Sequence, residues 1–290
     1  MITPESFTEQ LLFTTVRIEV KLKDGEAGVG TGFFFIAKVD EQRSLPLIIT
    51  NKHVIERAEI GLFQVHEAKV NGRQSQPSGH FLTVKIDNFK SYWIPHPDPS
   101  IDLCAIPFQP LQEAAVRQGK MIFYKAFTEE HVWTDQQLME LNAVEDILMA
   151  GYPIGLWDMN NNLPLIRRGI TASHPAVDFL GKPQFVIDAA CFPGSSGSPV
   201  VLANLGSYYR KDGTLIVGTR FVLLGVLYAG PRWTAKGEVK FEPIPTNVMP
   251  VIKLPLMIHL GYVVKAREVL RLAQYIIKLR NGEVLAPDSS

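Results

Sequence analysis

The sequence predicts an all-β fold of two packed antiparallel Greek-key barrels followed by a C-terminal α-helix. Many short apolar segments are separated by turns that draw on 22 glycines and 20 prolines, which is typical of antiparallel barrels. The last apolar stretch differs, because its hydrophobic residues recur every three or four positions, as on one face of a helix. With 290 residues, the chain can bury a large core.

We expect four regions along the chain. The N-terminal barrel occupies residues 1–110 and begins with a short helix or lead-in over residues 1–12. An inter-barrel connection follows over residues 111–145, part of it helical or strand-like. The C-terminal barrel occupies residues 146–261, and a helix and tail complete the chain over residues 262–290.

Local patterns support these regions. Residues 14–23 alternate as a half-buried strand does, and the glycine-rich stretch 28–32 predicts a turn before a strand over 33–39. Residues 262–280 predict an amphipathic helix that ends near Asn281-Gly282. A basic helix of this kind could bind a membrane or a partner, but docking on a barrel is the interpretation that the pattern favours. Its apolar face would consist of Tyr262, Ala266, Val269, Ala273 and Ile276.

Composition narrows the class of protein. The 29 acidic and 29 basic residues cancel, so charge gives no reason to expect binding to nucleic acid or to a membrane surface. No stretch approaches the roughly 20 apolar residues that span a bilayer. The first ten residues, which include Glu5 and Glu9, lack the features of a secretory signal. Two cysteines in apparent strands suggest reduced core thiols, and we expect a cytoplasmic protein.

The stretch Gly194–Val200, Gly-Ser-Ser-Gly-Ser-Pro-Val, is typical of a loop that presents a nucleophilic serine, here Ser196. A serine hydroxyl needs a neighbouring base, and a third group must orient that base. Flanking glycines allow a sharp turn and leave the N–H groups of Gly194 and Ser196 able to stabilise a carbonyl oxygen that becomes negative. Alone, such a string also fits an ordinary surface turn.

Two further segments place a base and an acid. An apolar strand over residues 47–50 leads to His53, and a polar loop delivers Asp102 just before the apolar run 103–106. The chain order is therefore His53, Asp102, Ser196, with spacings of 49 and 94 residues. A serine–histidine–aspartate triad uses these three groups as nucleophile, general base and orienting acid.

Each assignment has a rival. Asp98 lies between two prolines in a turn, whereas Asp102 opens a strand that can bury it. Ser195 and Ser198 compete with Ser196, but only Ser196 is followed directly by glycine. These contrasts favour Asp102 and Ser196.

Cys191 is either a competing thiol nucleophile or a small wall residue, and no second base lies near it in the sequence. The remaining histidines are scattered without the spacing of metal ligands. We therefore expect neither a metal ion nor another cofactor.

These motifs resemble trypsin-like (chymotrypsin-fold) serine peptidases, in particular the bacterial branch that includes the HtrA/Deg protease domain, here without a PDZ segment. The resemblance covers roughly residues 28–250 and implies two six-stranded barrels. Five segments carry it. The histidine and aspartate motifs are residues 50–55 and 102–103, and the turn that opens the second barrel is residues 151–155. The lead-in to the serine is residues 187–194, and the closing strand end is residues 241–245.

Two positions depart from that family pattern. The family usually has Asn or Asp before the nucleophile and Gly two residues after it, where this chain has Ser195 and Ser198. The Gly-x-Ser-Gly-Ser-Pro-Val form is similar to staphylococcal glutamyl endopeptidases. Because Ser195 cannot form an ion pair with a freed N-terminus, we expect activity, or activity that depends on a partner, without N-terminal processing.

The resemblance also implies a specificity pocket. It places Ala190 at the pocket base and Tyr228, Ala229 and Gly230 beside the substrate backbone. A base without a carboxylate cannot neutralise a buried lysine or arginine, so we expect an apolar residue before the scissile bond. The sequence thus predicts a serine endopeptidase that cleaves protein or peptide substrates and is open to a regulatory protein partner. An esterase with the same triad and a catalytically silent, partner-binding scaffold are the alternatives.

Overall fold

The computed structural model describes residues 1–23, 25–71, 74–230, 232–234, 255–257 and 259–283. Within these residues the protein is mostly β, in two sheet systems joined by a connection and followed by one long helix. The predicted all-β class with a C-terminal helix is confirmed.

Nine strands build the first sheet system. In chain order they are β1 Thr15–Leu22, β2 Ala27–Lys38, β3 Ser44–Thr50, β4 Ala58–Asn71, β5 Gln74–Asp87, β6 Ile94–Pro95, β7 Cys104–Pro107, β8 Ile122–Phe123 and β9 Phe127–Thr128. The hydrogen-bonded order is β5-β4-β1-β2-β3-β7-β6. β8 pairs with β4 and β9 pairs with β2. The described residues of the first half thus form a sheet of nine strands with an open hydrogen-bonded order, where the sequence predicted a six-stranded barrel. Two of the nine, β8 and β9, come from the connection.

The turn predicted over residues 28–32 is wrong, because these residues are the first part of the continuous strand β2. Their glycines serve close packing. A Cβ atom on Gly30 would lie 2.4 Å from Cγ1 of Val54, a separation that no side chain tolerates. Glycine here lets the helical turn that carries Val54 lie directly against the strand.

Six strands close the second barrel in the order β10-β11-β12-β19-β16-β13. The remaining four strands of this half form two small hairpins, β14–β15 and β17–β18. The strands are β10 Asp146–Gly151, β11 Leu165–Thr171, β12 Gln184–Asp188, β13 Pro199–Asn204, β14 Ser207–Tyr209, β15 Leu215–Val217, β16 Arg220–Ala229, β17 Arg232–Thr234, β18 Pro255–Met257 and β19 Leu260–Lys265. The start predicted at residue 146 is the start of β10.

The described part of the chain contains five α-helices, which are α1 Phe7–Leu11, α2 Lys52–Ile55, α3 Gln109–Arg117, α4 Asp135–Leu138 and α5 Ala266–Arg280. α1 confirms the short N-terminal helix, which Ser6 caps by accepting from the N–H of Glu9 while the Glu9 carboxylate accepts from the N–H of Ser6. α3 begins at Gln109, two residues before the predicted connection, and α4 lies within the range predicted for it.

The C-terminal helix starts later than predicted. β19 continues to Lys265, past the barrel end predicted at residue 261, so Tyr262 is a strand residue and not the first turn of a helix. Tyr262 pairs with Val186 of β12 and with Ala229 of β16. The β-branched residues that follow Tyr262 suit this extended, paired backbone.

α5 packs into the seam between the two halves. Its apolar face, with Val269, Leu272 and Ile276 fully buried, belongs to one cluster with Phe35 of β2 and Val226 of β16. The docked interpretation of this helix is thus the one that the structure shows. Separate clusters fill the first sheet system and the second barrel.

The structure also bears on the two cysteines, on membrane-spanning helices and on the closing strand end that the sequence predicted. Both cysteines, Cys104 and Cys191, are free and buried. No helix among the described residues is long and apolar enough to cross a membrane. The strand end predicted at residues 241–245 lies outside the described residues.

A buried histidine links the two halves. His66 of β4 lies between the rings of Phe13 and Phe81, and its Nε2 donates to the backbone oxygen of Asn162, 3.1 Å away. Asn162 in turn donates from its side chain to the backbone oxygen of Gln64. Burial lowers the pKa of His66 to about 4, which the hydrogen bond to Asn162 only partly opposes.

This shift predicts acid sensitivity. The unfolded chain takes up a proton at His66 near pH 6.5, whereas the folded protein does so only near pH 4, so stability should fall as the pH drops through this window. The loss should reach about 3 kcal/mol at the acid end. Urea unfolding at pH 7 and pH 5 should show a smaller loss in His66→Gln than in the wild type. His80→Gln, at an exposed site, is the control, and an unchanged pH slope in His66→Gln would contradict the assignment.

Candidate active site

A cleft of about 330 Å³ lies where the two halves meet. The first half contributes His53 and Asp102 to its wall, and the second half contributes the rest. Those remaining lining residues are Cys191, Phe192, Pro193, Ser196, Leu227, Tyr228, Ala229 and Gly230.

His53 and Asp102 are brought together by the ends of two neighbouring strands. β3 ends at Thr50 and the single turn α2 carries His53, while Asp102 lies just before β7, the strand that pairs with β3. The Nδ1 atom of His53 is 2.5 Å from Oδ2 of Asp102, and the backbone N–H of His53 donates to Oδ1. Asn51 donates to the backbone oxygen of Asp102 at 2.7 Å. One carboxylate thus holds the imidazole ring of His53 through Oδ2 and the backbone of His53 through Oδ1.

Asp98, the alternative to Asp102, forms a different set of hydrogen bonds. Its Oδ1 accepts from the backbone N–H and the hydroxyl of Ser100, at 2.9 and 2.7 Å. These bonds hold the pKa of Asp98 below its ordinary value. The carboxylate therefore orders its own loop, and it makes no contact with His53 of the kind that Asp102 makes.

The three serines of the glycine-rich loop point to different places. Ser195 is fully buried and its hydroxyl lies 2.9 Å from Nη1 of Arg167. Ser198 is also fully buried, and its hydroxyl has no hydrogen-bond partner among the described residues. Ser196 is half-buried and lines the cleft. Of the three, only Ser196 is open to a bound molecule.

A tight turn precedes Ser196. The backbone N–H of Ser195 donates to the oxygen of Phe192 at 3.0 Å, with Pro193 second and Gly194 third in the turn. Proline followed by a residue with positive φ, here +85° at Gly194, is the pattern of a type II turn. A Cβ atom on Gly194 would lie 2.5 Å from the backbone oxygen of Tyr152. The positive φ and the close approach of the Tyr152 oxygen each require glycine at position 194.

The backbone oxygen of Pro193 is held away from the cleft. It accepts from the N–H of Ile154 at 2.6 Å. Because the two groups of a trans peptide point in opposite directions, the N–H of Gly194 is directed to the other side. Ile154 adopts a φ of +52°, which is costly for a β-branched residue and marks a place where the surrounding structure imposes the backbone.

The peptide before Ser196 is fixed in the same way. The oxygen of Ser195 accepts from the N–H of Ser198 at 3.0 Å, and the oxygen of Ser196 accepts from the N–H of Thr31 at 2.9 Å. The Thr31 hydroxyl also donates to the oxygen of Gly194 at 3.0 Å. With these oxygens engaged, the N–H groups of Gly194 and Ser196 are left without a protein acceptor among the described residues.

In this conformation the described residues give the Ser196 hydroxyl no hydrogen bond to His53. Both side chains nevertheless line one cleft, and His53 is 44% exposed. Catalytic hydrogen bonds are often long in a free site and shorten when a substrate is bound. The arrangement leaves His53 Nε2 as the ring nitrogen available to a proton from Ser196.

The predicted pocket residues fall into two groups. Tyr228, Ala229 and Gly230 line the cleft beside Ser196. Ala190, which was predicted at the pocket base, is not among the residues that line the cleft, and the lining begins at Cys191.

The surroundings of Cys191 favour its interpretation as a wall residue. Burial raises the pKa of Cys191 to about 11, so the thiol stays protonated at neutral pH. Phe192 and Leu227, which the sequence analysis did not assign to the pocket, complete its apolar wall.

Three residues that contact the serine loop were not assigned a role from the sequence, and they are Thr31, Ile154 and Arg167. Thr31 was hidden in a stretch interpreted as a turn, and Ile154 acts only through its backbone. Arg167 is one of two adjacent arginines in β11, and strand alternation alone could have shown that the two face opposite sides. The described residues include no cluster of three or more His, Cys, Asp or Glu side chains that could hold a metal ion.

Several solved structures resemble this one in fold. The active form of the Rv3671c protease from M. tuberculosis is 14% identical, over 92% of this chain and 85% of its own, with a TM-score of 0.42. The HtrA-type protease AlgW, solved with a tripeptide, is 14% identical over 94% of this chain and 63% of its own, with a TM-score of 0.47. A catalytically inactive tobacco etch virus protease in complex with substrate is 13% identical over 96% and 87%, with a TM-score of 0.48.

Comparison of the sequence with curated proteins finds no match. The family model of the trypsin-like peptidase domain, in contrast, matches residues 30–207, which is more than half of the chain. The matched segment contains His53, Asp102 and Ser196 together with the strands that carry them. The chain belongs to the trypsin-like peptidase family.

Proposed function

We propose that this protease is a serine endopeptidase that works through His53, Asp102 and Ser196. The observation that carries the proposal is the 2.5 Å contact between His53 Nδ1 and Asp102 Oδ2, in a cleft that Ser196 also lines. A carboxylate on Nδ1 fixes the tautomer in which Nε2 accepts a proton. That is the arrangement which a serine nucleophile requires.

The proposed reaction has two halves. Ser196 Oγ attacks the carbonyl carbon of the scissile bond while its proton passes to His53 Nε2. His53 then protonates the leaving amine, the bond to nitrogen breaks and an acyl-enzyme remains. Water then attacks the acyl carbon while its proton passes to His53, and His53 returns that proton to Ser196 Oγ as the ester bond breaks, which releases the acid product and regenerates the free serine.

The negative oxygen of each tetrahedral intermediate needs donors. The N–H groups of Gly194 and Ser196 are proposed for this role, because neighbouring contacts engage the carbonyls that share their peptides. Preorganised donors of this kind stabilise the transition state without reorganising.

The lining of the cleft supports a preference for an apolar residue before the scissile bond. Among the described residues, its second-half wall contains Cys191, Phe192 and Leu227 and no charged side chain. Burying an unpaired charge against such a wall is costly. The preference should be graded, because one methylene is worth only about 1–3 kcal/mol.

Two measurements test the proposal. A fluorophosphonate probe should label the wild type at Ser196, which mass spectrometry of the labelled peptide can locate. A peptide library should then show cleavage after Leu, Met or Phe. Failure to label would indicate a silent scaffold, and turnover of simple esters without peptides would indicate an esterase. A library profile dominated by basic or acidic residues would overturn the specificity proposal.

A further inference from the structure

The guanidinium group of Arg167 is largely buried and contacts the serine loop from inside the protein. Arg167 of β11 is half-buried as a residue, but its Nε and Nη2 atoms have no access to solvent and no hydrogen-bond partner among the described residues. Burial lowers the pKa of Arg167 to about 10, and no carboxylate contributes to its electrostatic environment. At neutral pH the side chain is therefore a buried cation without an acidic partner. Its neighbour Arg168 is exposed and pairs with Asp146.

The guanidinium makes two contacts, and both are with the segment that carries the nucleophile. Nη1 donates to the backbone oxygen of Ala190 at 2.5 Å and to Oγ of Ser195 at 2.9 Å. Ala190 stands at the start of this segment and Ser195 directly before the nucleophile. One nitrogen atom thus ties the two ends of the segment together.

Stability alone does not explain this side chain. Taking an unpaired cation out of water costs free energy, and the two hydrogen bonds that Arg167 donates must offset this cost. A purely structural role for Arg167 predicts that Arg167→Met changes stability but leaves kcat of the folded protein unchanged.

The hydrogen bond from Arg167 to Ser195 constrains the peptide group between Ser195 and Ser196. Ser195 has its N–H on Phe192 and its carbonyl on the N–H of Ser198, so the orientation of its side chain is linked to both of its peptides. The second of these peptides supplies the N–H of Ser196. If the hydroxyl of Ser195 lost its partner, both peptides would be freer to rotate.

We propose that Arg167 is a positioning residue that holds the segment 190–196 in the conformation in which the N–H groups of Gly194 and Ser196 face the substrate oxygen. The inference rests on the proposed function, since it concerns the oxyanion donors of that reaction. Arg167 itself touches neither the substrate nor the reacting atoms. It acts from inside the protein.

The test compares Arg167→Met and Arg167→Lys with the control Arg168→Met, using a peptide that the library identifies. Removing one oxyanion donor from a serine peptidase lowers kcat about 10²–10³-fold, so Arg167→Met should lower kcat by roughly 10²-fold with KM changed less than about threefold. Arg167→Lys, which keeps a donating cation, should recover part of the loss. Arg168→Met should match the wild type.

A second readout isolates the oxyanion donors. A peptide aldehyde forms a hemiacetal with the serine, and the oxygen of this hemiacetal occupies the oxyanion site. The corresponding product peptide forms no hemiacetal. Arg167→Met should weaken the aldehyde by about the same factor as kcat and leave binding of the product peptide unchanged. Thermal unfolding of each variant shows that the comparison is made on folded protein.

Three results would overturn the inference. They are an unchanged kcat in folded Arg167→Met, equal weakening of aldehyde and product peptide, and a rise in KM at constant kcat accompanied by a changed library profile. The last of these would make Arg167 a specificity residue. The wild type tests the proposed function separately, because its own labelling and turnover do not depend on how the variants behave.

Discussion

Ser196→Ala should lower kcat roughly 10⁵–10⁶-fold, which is the scale of loss when the nucleophile of a triad is removed. The hydroxyl of Ser196 is the one that the loop exposes to the cleft, whereas those of Ser195 and Ser198 are buried. Turnover of the library peptide, with burst kinetics for the acyl-enzyme, is the measurement. Fluorophosphonate labelling should disappear with the activity.

The matched control is Ser198→Ala. Its hydroxyl is buried and has no hydrogen-bond partner among the described residues, so its removal leaves no polar group unpaired and should change neither kcat nor stability much. Substantial activity in Ser196→Ala, or loss of labelling in Ser198→Ala alone, would place the nucleophile elsewhere.

Asp102→Asn should lower kcat by up to ~10⁴-fold while the protein stays folded. An asparagine amide can donate to Nδ1 of His53, which favours the tautomer that carries its proton on Nε2. That nitrogen could then no longer accept the proton of Ser196. Measuring kcat together with the unfolding midpoint separates this effect from a loss of structure.

Asp98→Asn provides the comparison for this second substitution. The two carboxylates lie close in the sequence, but Asp98 accepts from Ser100 and not from His53. Asp98→Asn should therefore keep kcat within a few-fold of the wild type. A large loss in Asp98→Asn together with a small one in Asp102→Asn would exchange their roles.

The sequence predicted the surroundings of the candidate site better than its details. His53, Asp102 and Ser196 stand next to turns at the ends of apolar strands, and such local signals are readable from short windows. The type II turn before Ser196 is equally local, since Pro193 and Gly194 encode it directly.

The missed features depend on tertiary contacts. The glycines of residues 28–32 are typical of a turn, yet they serve a strand that lies against the side chain of Val54. Tyr262 continues the helical spacing of the residues after it, but pairing with β12 and β16 keeps it extended. The inward direction of Arg167 depends on its contact with Ser195, which is distant in the sequence.

The position of α5 has a consequence for biosynthesis. The helix contacts β2, β3 and β7 of the first half as well as β16 and β19 of the second, so contacts between the earliest and the latest parts of the chain complete the seam. Such long-range contacts form late, because a long loop must first close. A nascent chain that ends before residue 266 leaves the apolar seam uncovered and open to association with other chains. We therefore expect the seam between the two halves to close only after α5 has been synthesised.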